Sequence, residues 1–198
     1  MAPSSAYADL GNGVQLHYLA QGSGAPIVFL HGFPEFSGAW LPQLAEFGRD
    51  HRAIAPDLRG YNLSSKPSGV ENYHVDVLVE DLRRFIAQVA GGRCAVVAHD
   101  WGGLCAWHLA AAHPESITKL VIINSPHPGT LHRELLASPA QREAMRYMLL
   151  FRTPRAETLL SENDFARLAV LFDSWEIGGQ RLDPVSYTHL TLPTNREV

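Results

Sequence analysis

An aspartate, Asp100, lies where a short apolar segment ends and a helix-like segment begins. The segment before it, residues 94–98, is typical of a buried strand. Reactive side chains are presented at such sharp strand-to-helix turns when small residues lie two positions to either side, because larger ones would collide with neighbouring chain. Ala98 and Gly102 occupy those two positions. The pattern predicts that the Asp100 carboxylate is presented as a nucleophile.

A serine is the usual residue at the apex of this turn, and it forms acyl esters. A carboxylate that attacks a saturated carbon forms an alkyl ester instead, which water must then hydrolyse. Asp100 therefore favours a hydrolase of this second kind over a serine esterase or lipase. The structural alternative, an aspartate that only caps an inert helix, accounts for Asp100 but not for the small residues Ala98 and Gly102.

Composition places the chain among ordinary globular proteins. It has 198 residues, 46% of them hydrophobic and 18% charged, with a net charge of −4. The scattered lysines and arginines argue against nucleic-acid binding. No apolar run reaches the roughly 18 residues of a membrane span, and residues 1–10 lack a secretory pattern, so a cytoplasmic location is expected. Cys94 and Cys105 are expected to be buried thiols.

Strand-like and helix-like segments alternate over the first part of the chain. Apolar residues at three- and four-residue steps predict a helix over residues 75–89, and another helix is expected to end near residue 47. Strands are predicted at residues 6–10 and 14–19, which form a hairpin, and at 27–30, 52–56, 94–98 and 117–124. This order predicts an α/β fold with a mostly parallel sheet flanked by helices and a site at the carboxyl ends of the strands.

The pattern changes after residue 128. Only helical periodicity follows, over residues 139–151 and 164–172. We expect residues 1–128 to form the N-terminal part of a core and residues 129–184 to form part of a helical cap. Residues 185–198 resemble a translated sequencing adapter and are expected to be a non-native tail, which removes Tyr187 and His189 from the site candidates.

Four motifs occur in a fixed order along the chain. They are His31-Gly32-Phe33-Pro34-Glu35-Phe36, Asp57-Leu58-Arg59-Gly60-Tyr61, His99-Asp100-Trp101-Gly102-Gly103 and Asn124-Ser125-Pro126-His127-Pro128. With these motifs, residues 14–184 resemble the epoxide hydrolase branch of the α/β-hydrolase superfamily. The resemblance implies that a small hydrophobic epoxide is opened to a diol through an ester on Asp100, with water as the second substrate.

The resemblance also assigns roles to the residues around Asp100. It implies an oxyanion hole made by the backbone N–H groups of Phe33 and Trp101. It implies that Tyr147, in the cap, donates a hydrogen bond or a proton to the epoxide oxygen. The loop that carries Phe33 is called the oxyanion loop. The residues expected to order it are His31, Gly32 and Pro34, and the Phe33–Pro34 peptide is expected to be cis.

No cofactor and no metal are expected, because no histidine or cysteine pair has metal-ligand spacing. The superfamily's water-activating histidine, its acidic partner and a second cap tyrosine have no counterpart in this sequence. His31, His99 and the other histidines are expected to have structural roles, as is Glu35. The 198-residue chain is therefore expected to show little or no turnover.

Two alternatives stay open. Haloalkane dehalogenases use the same aspartate attack, and Trp101 is compatible with them, but they usually place Asn or Glu where Phe33 lies. Haloacetate dehalogenases carry arginines where Trp101 and Leu104 lie. The alternative of another class is a non-catalytic fragment or binding relative. Such a fragment would expose the sheet edge after residues 117–124 and would tend to aggregate.

Overall fold

The structure is a computed structural model, and it describes residues 2–173. It contains a six-stranded sheet with the order β1-β2-β4-β3-β5-β6. The strands are β1 (Ser4–Asp9), β2 (Gln15–Gln21), β3 (Pro26–Leu30), β4 (Arg52–Pro56), β5 (Cys94–His99) and β6 (Ile117–Ile123). Strand β2 is antiparallel to β1 and β4, and the remaining pairs are parallel. The predicted α/β architecture is confirmed.

Helices cover both faces of this sheet between residues 2 and 127. They are α1 (Leu41–Phe47), α2 (Val75–Val89) and α3 (Asp100–Ala112), with single 3-10 turns at Ser37–Trp40, Val70–Tyr73 and Pro114–Ser116. Side chains of a strand alternate between the two faces. In β3, Val28 and Leu30 join the core under α2 and α3, whereas Ile27 and Phe29 join the smaller core under α1.

Helix α2 has the apolar face that its periodicity predicted. The residues buried against the sheet include Val79, Leu82, Phe85, Ile86 and Val89. After Ala90 the chain leaves the helix at Gly91, whose φ of 70° is one that side chains with a Cβ rarely adopt. The 3.6-residue repeat and the glycine stop therefore placed this element correctly.

Residues 128–173 form a second unit. Its helices are α4 (Pro128–Ala137), α5 (Pro139–Ala144), α6 (Arg146–Phe151) and α7 (Ala156–Asp173). The sequence prediction missed α4, merged α5 with α6, and started α7 at residue 164. The Ser138 side chain accepts a hydrogen bond from the Gln141 N–H, so that Ser138 caps a new helix just after α4 ends. The predicted cap boundary at 184 and the predicted tail, 185–198, lie outside the described residues.

In the part of the chain that the structure describes, no helix is both long enough and apolar enough to span a bilayer. The cytoplasmic location stays a prediction.

The two thiols give a direct test of this core. Burial raises the pKa of Cys94 and of Cys105 to about 12. We expect iodoacetamide at pH 8 to leave both thiols unmodified in native buffer, because the thiolate is the reactive form. In concentrated urea both should be alkylated, as read by intact mass. Rapid double alkylation without denaturant would show that the core around β5 and α3 is not formed.

Candidate active site

The turn between β5 and α3 has the geometry that exposes a reactive side chain. Strand β5 ends at His99 in an extended conformation, and α3 begins at Asp100. Asp100 has a φ of 51°, a left-handed conformation that costs a residue other than glycine about 1–3 kcal/mol. Asp100 itself is half-buried. The chain thus reverses sharply at the one residue whose carboxylate was predicted to react.

Glycines allow the loop after β3 to approach this turn closely. A Cβ built on Gly102 would lie 2.5 Å from the His31 carbonyl oxygen and 2.8 Å from the Leu30 carbonyl carbon. A Cβ on Gly32 would lie 2.4 Å from the Asp100 Cβ. No side chain fits at either position, so the backbone of the β3 loop lies directly against the start of α3.

The close approach places a backbone donor on the carboxylate. The Phe33 N–H donates a hydrogen bond of 3.0 Å to Asp100 Oδ1. The Glu35 N–H donates to the Gly32 carbonyl oxygen at 3.0 Å, which closes the loop into a turn, and the Phe33–Pro34 peptide is cis. The Phe33 N–H therefore lies next to one oxygen of the Asp100 carboxylate, and its role as an oxyanion-hole donor stays a prediction.

His31 holds the loop after β3 in place through two hydrogen bonds. It is fully buried, and its Nε2 accepts a hydrogen bond of 2.9 Å from the Leu58 N–H. The opposite nitrogen, Nδ1, therefore carries the proton and donates to the Gly32 carbonyl oxygen at 2.9 Å. Burial lowers the pKa of His31, since the charged imidazolium is disfavoured away from water. A neutral His31 thus sets the orientation of the peptide next to Phe33.

Asp57, at the end of β4, anchors the surrounding loops. Its carboxylate is fully buried and accepts hydrogen bonds from His17 Nδ1 at 2.7 Å, from the Ser37 N–H at 2.7 Å and from Asn62 Nδ2 at 2.9 Å. Leu58, whose N–H holds His31, is the next residue. The buried carboxylate consequently ties the loop after β4 to the loop after β3.

A pair of side chains, Glu35 and His99, joins the loop after β3 to the turn between β5 and α3. Glu35 Oε2 lies 3.2 Å from Nδ1 of His99, the residue just before Asp100. The hydrogen bond to Glu35 raises the pKa of His99, an effect that outweighs the opposing effect of burial. Structural roles are predicted for Glu35 and His99 from the sequence, but their contact is not. Their separation of 64 residues leaves no local signal of the contact.

Tyr61 is a neighbour of the site that the sequence analysis quoted in a motif without giving it a role. Its ring packs edge-on against the His31 ring, with centroids 4.9 Å apart. Burial raises the pKa of the Tyr61 phenol, and the negative charge of Asp100 raises it further. Tyr61 is therefore a neutral phenol within electrostatic reach of the Asp100 carboxylate.

The other predicted site residues lie in different parts of the chain. Trp101 is in the first turn of α3 and is 39% exposed. Pro34 is buried in the oxyanion loop. Tyr147 is on α6 in the second unit, where its ring packs against Phe151 with centroids 5.6 Å apart. The structure brings Phe33, Gly32 and Asp100 together. Tyr147 belongs to the second unit.

Across residues 2–173, no group of three or more histidine, cysteine or acidic side chains is arranged to hold a metal ion.

The comparison with protein families decides the fold family. Residues 25–168 match the family described as alpha/beta hydrolase fold. The chain belongs to the α/β-hydrolase family. In that family a sharp strand-to-helix turn of this kind carries the nucleophile and is called the nucleophile elbow.

Known relatives of this α/β-hydrolase share most of its length. It is 41% identical over 170 residues to epoxide hydrolase 4 of Mus musculus, covering 84% of this chain and 47% of the relative. It is 40% identical over 160 residues to epoxide hydrolase 3 of Xenopus tropicalis, covering 79% of this chain and 44% of the relative. The chain thus spans about half the length of the curated relatives it matches.

Solved structures of epoxide hydrolases also match this chain. The Bacillus megaterium epoxide hydrolase bound to an inhibitor is 44% identical, with a TM-score of 0.81 over 84% of this chain and 58% of that one. The M145A mutant of a Bacillus megaterium epoxide hydrolase is 38% identical, with a TM-score of 0.88 over 96% of this chain and 66% of that one.

The packing around Gly102 predicts that alanine at this position lowers stability, the opposite of its usual effect in a helix. In an open helix, glycine to alanine stabilises by about 1 kcal/mol. Here the added methyl group meets the backbone of Leu30 and His31, so we expect Gly102→Ala to destabilise by about 1–3 kcal/mol in urea unfolding. Ala111→Ser, which adds an atom on the exposed side of α3, is the control and should change stability by less than about 0.5 kcal/mol. A stabilising Gly102→Ala would contradict this packing.

The pKa values of the two histidines should be shifted in opposite directions from the usual 6.5, that of His31 downward and that of His99 upward. His31 should remain neutral below that pH and His99 should remain charged above it, as read by NMR with His31→Gln and His99→Gln for assignment. Because the folded-state pKa of His99 is raised, its stabilisation is present below pH 6.5 and is lost as pH rises through that pKa. Because the pKa of His31 is lowered, it reduces stability as pH falls below 6.5. Shifts of the same sign would contradict the two environments.

Proposed function

We propose that the whole protein is an epoxide hydrolase in which Asp100 is the nucleophile. The observation that carries the proposal is the hydrogen bond from the Phe33 N–H to Asp100 Oδ1, at an elbow where Asp100 is held at positive φ. The relatives and solved structures named epoxide hydrolases support the same reaction.

The hydrogen bond distinguishes the two carboxylate oxygens. Oδ1 is occupied by Phe33, whereas Oδ2 accepts no hydrogen bond within residues 2–173. Oδ2 is therefore the oxygen that attacks the epoxide carbon. The carbon–oxygen bond of the ring breaks as the ester forms, and the epoxide oxygen leaves as an alkoxide that takes up a proton. We assign the donation of that proton to Tyr147.

The second step regenerates the carboxylate. Water attacks the ester carbonyl carbon, and Oδ1 becomes the oxyanion of the tetrahedral intermediate. The N–H groups of Phe33 and Trp101 stabilise that charge, and each such donor typically contributes about 3 kcal/mol. Collapse of the intermediate breaks the bond between the carbonyl carbon and the alkyl oxygen, and the diol leaves. Asp100 forms no hydrogen bond with a histidine in the described range.

The two parts of the chain have different proposed roles. Residues 1–128 supply the nucleophile and the oxyanion hole as part of the core, with His31, Gly32 and Pro34 ordering the loop that carries Phe33. We assign residues 129–184 to the cap, and Tyr147 is the catalytic residue that we assign to this part. No metal and no cofactor takes part in these steps.

Isotope labelling of the full-length protein tests the nucleophile. Repeated turnover of an epoxide in heavy-oxygen water should place label in the Asp100 carboxylate, as read by peptide mass spectrometry. Asp100→Ala should lower turnover by at least about 10³-fold, whereas Asp76→Ala, on the exposed side of α2, should leave it unchanged. Label in the diol without label in Asp100 would favour direct attack by water. Release of halide from haloalkanes, without diol from epoxides, would identify a dehalogenase instead.

The 198-residue chain itself should release little or no diol, as read by gas chromatography beside the full-length protein. The reason is that Asp100 and Phe33 supply the proposed nucleophile and one proposed oxyanion donor, whereas Asp100 forms no hydrogen bond within residues 2–173 to a histidine that could activate the hydrolytic water. Diol formation by this chain at rates like those of the full-length protein would contradict the mechanism.

A further inference from the structure

A serine, a histidine and an aspartate are joined by hydrogen bonds at the β1–β2 edge of the sheet. Ser5 is on β1, His17 is on β2, and Asp57 follows β4 directly. Ser5 Oγ lies 2.8 Å from His17 Nε2, and His17 Nδ1 lies 2.7 Å from Asp57 Oδ2. In this order and at these distances an imidazole can act as the base for a hydroxyl nucleophile while a carboxylate orients the ring. None of the three residues belongs to the turn that carries Asp100 or to the loop after β3.

The hydrogen bonds determine where the protons of these side chains lie. A carboxylate only accepts hydrogen bonds, so the His17 Nδ1–H donates to Asp57 and Nε2 carries a lone pair. The Ser5 hydroxyl donates to that lone pair. The Ser37 N–H and Asn62 Nδ2 also donate to the Asp57 carboxylate, at 2.7 and 2.9 Å, and hold it in one orientation. His17 is therefore in the tautomer that can remove the Ser5 proton.

The serine is accessible whereas its two partners are shielded. Asp57 is fully buried and His17 is 3% exposed, so water competes little for the hydrogen bond between them. Ser5 is exposed, because β1 is an edge strand of the described sheet. The Ser5 hydroxyl can therefore meet a substrate from solvent while its base stays protected.

The strand register leaves a backbone donor beside the Ser5 hydroxyl. The Leu10 N–H donates to the Val14 carbonyl oxygen, and hydrogen-bonded pairs alternate with non-hydrogen-bonded pairs along an antiparallel ladder. Ser5 pairs with Leu19, an odd number of positions along β1 from that bond, so its N–H points to the outer edge of the sheet. This N–H lies next to Oγ of the same residue and can stabilise an oxyanion that forms there.

Two apolar side chains flank Ser5 on the same face of the hairpin. Tyr7 is two residues further along β1, is 55% exposed, and packs edge-on against the His17 ring with centroids 5.3 Å apart. Leu19 lies opposite Ser5 on β2 and is half-buried. The exposed ring of Tyr7 offers a surface on which a second aromatic ring can pack. These neighbours suit a small substrate that carries an aryl group.

We propose that Ser5 and His17 form a second catalytic site, oriented by Asp57, which transfers short acyl groups from aryl esters to water. The Ser5 oxygen attacks the ester carbonyl carbon while His17 Nε2 takes the hydroxyl proton, and the Ser5 N–H stabilises the oxyanion. His17 gives that proton to the aryl oxygen as its bond to the carbonyl carbon breaks, which leaves an acyl ester on Ser5. Water then attacks this ester, one of its protons passes through His17 to the Ser5 oxygen, and the carboxylic acid leaves.

Covalent labelling of the 198-residue chain and of the full-length protein tests the nucleophile. Diisopropyl fluorophosphate is the probe, since it phosphorylates activated serines, and peptide mass spectrometry locates the adduct. We expect Ser5 to react at least about 10²-fold faster than Ser4, the adjacent exposed serine, whose Oγ donates to the Ala20 carbonyl oxygen instead of an imidazole. Ser4→Ala is the matched control and should keep the wild-type rate at Ser5. Equal rates at the two serines, or no adduct on Ser5 in either protein, would overturn the site.

The base and its orienting carboxylate are tested by a variant and by a measurement that needs none. His17→Gln, with folding checked by circular dichroism, should lower the rate of Ser5 labelling at least about 10²-fold. Nitrogen NMR of the wild-type His17 ring should find the proton on Nδ1, the nitrogen that faces Asp57. An unchanged rate in folded His17→Gln, or a proton on Nε2, would overturn the assignment of the base.

Turnover of an aryl ester tests the activity itself. Phenyl acetate should place an acetyl group on Ser5 in samples quenched by acid, as read by peptide mass spectrometry, and should release phenol faster in wild-type protein than in Ser5→Ala. Ser4→Ala should behave as the wild type does. Phenol release that Ser5→Ala leaves unchanged, or acetyl groups found only on other residues, would overturn the proposed activity.

Discussion

The site depends on one close backbone approach, that of the loop after β3 to the first turn of α3. Gly32 and Gly102 leave no room for a Cβ, and only at this separation can the Phe33 N–H reach Asp100 Oδ1 at 3.0 Å. The positive φ of Asp100 is the conformational cost of the same arrangement. The conformational strain lies at Asp100 itself. The packing of β3, β5 and α3 maintains this conformation.

Buried polar groups make this approach rigid. His31 joins the Leu58 N–H to the Gly32 carbonyl oxygen, and Asp57 joins β2 and the loops after β3 and β4 through one carboxylate. Each group is fully buried, so an unmade hydrogen bond in this network would cost about 1–3 kcal/mol. That penalty disfavours other loop positions, and the orientation of the Phe33 N–H is therefore set before any substrate binds.

The sequence predicted those features that local pattern determines. Buried apolar runs located the strands, the spacing of Ala98 and Gly102 located the elbow, and the periodicity of residues 75–89 located α2. The helices after residue 128 were predicted poorly, because Ser138 and Pro139 end one helix and begin the next within a continuous helical pattern. The Glu35–His99 pair and the place of Tyr61 beside His31 join residues far apart in sequence, and only the fold brings them together.

The electrostatic surroundings of Asp100 agree with its proposed role as a nucleophile. No arginine or lysine forms an ion pair with it within residues 2–173, although Asp81 and Glu80 are both paired with arginines. A tight ion pair stabilises a carboxylate and lowers its tendency to attack carbon. Backbone N–H donors differ, because they stabilise the charge on Oδ1 while leaving Oδ2 free, and they strengthen as the tetrahedral oxyanion forms on that same oxygen. Under the proposed mechanism, the placement of Phe33 leaves Oδ2 available for the attack and favours the later release of the ester.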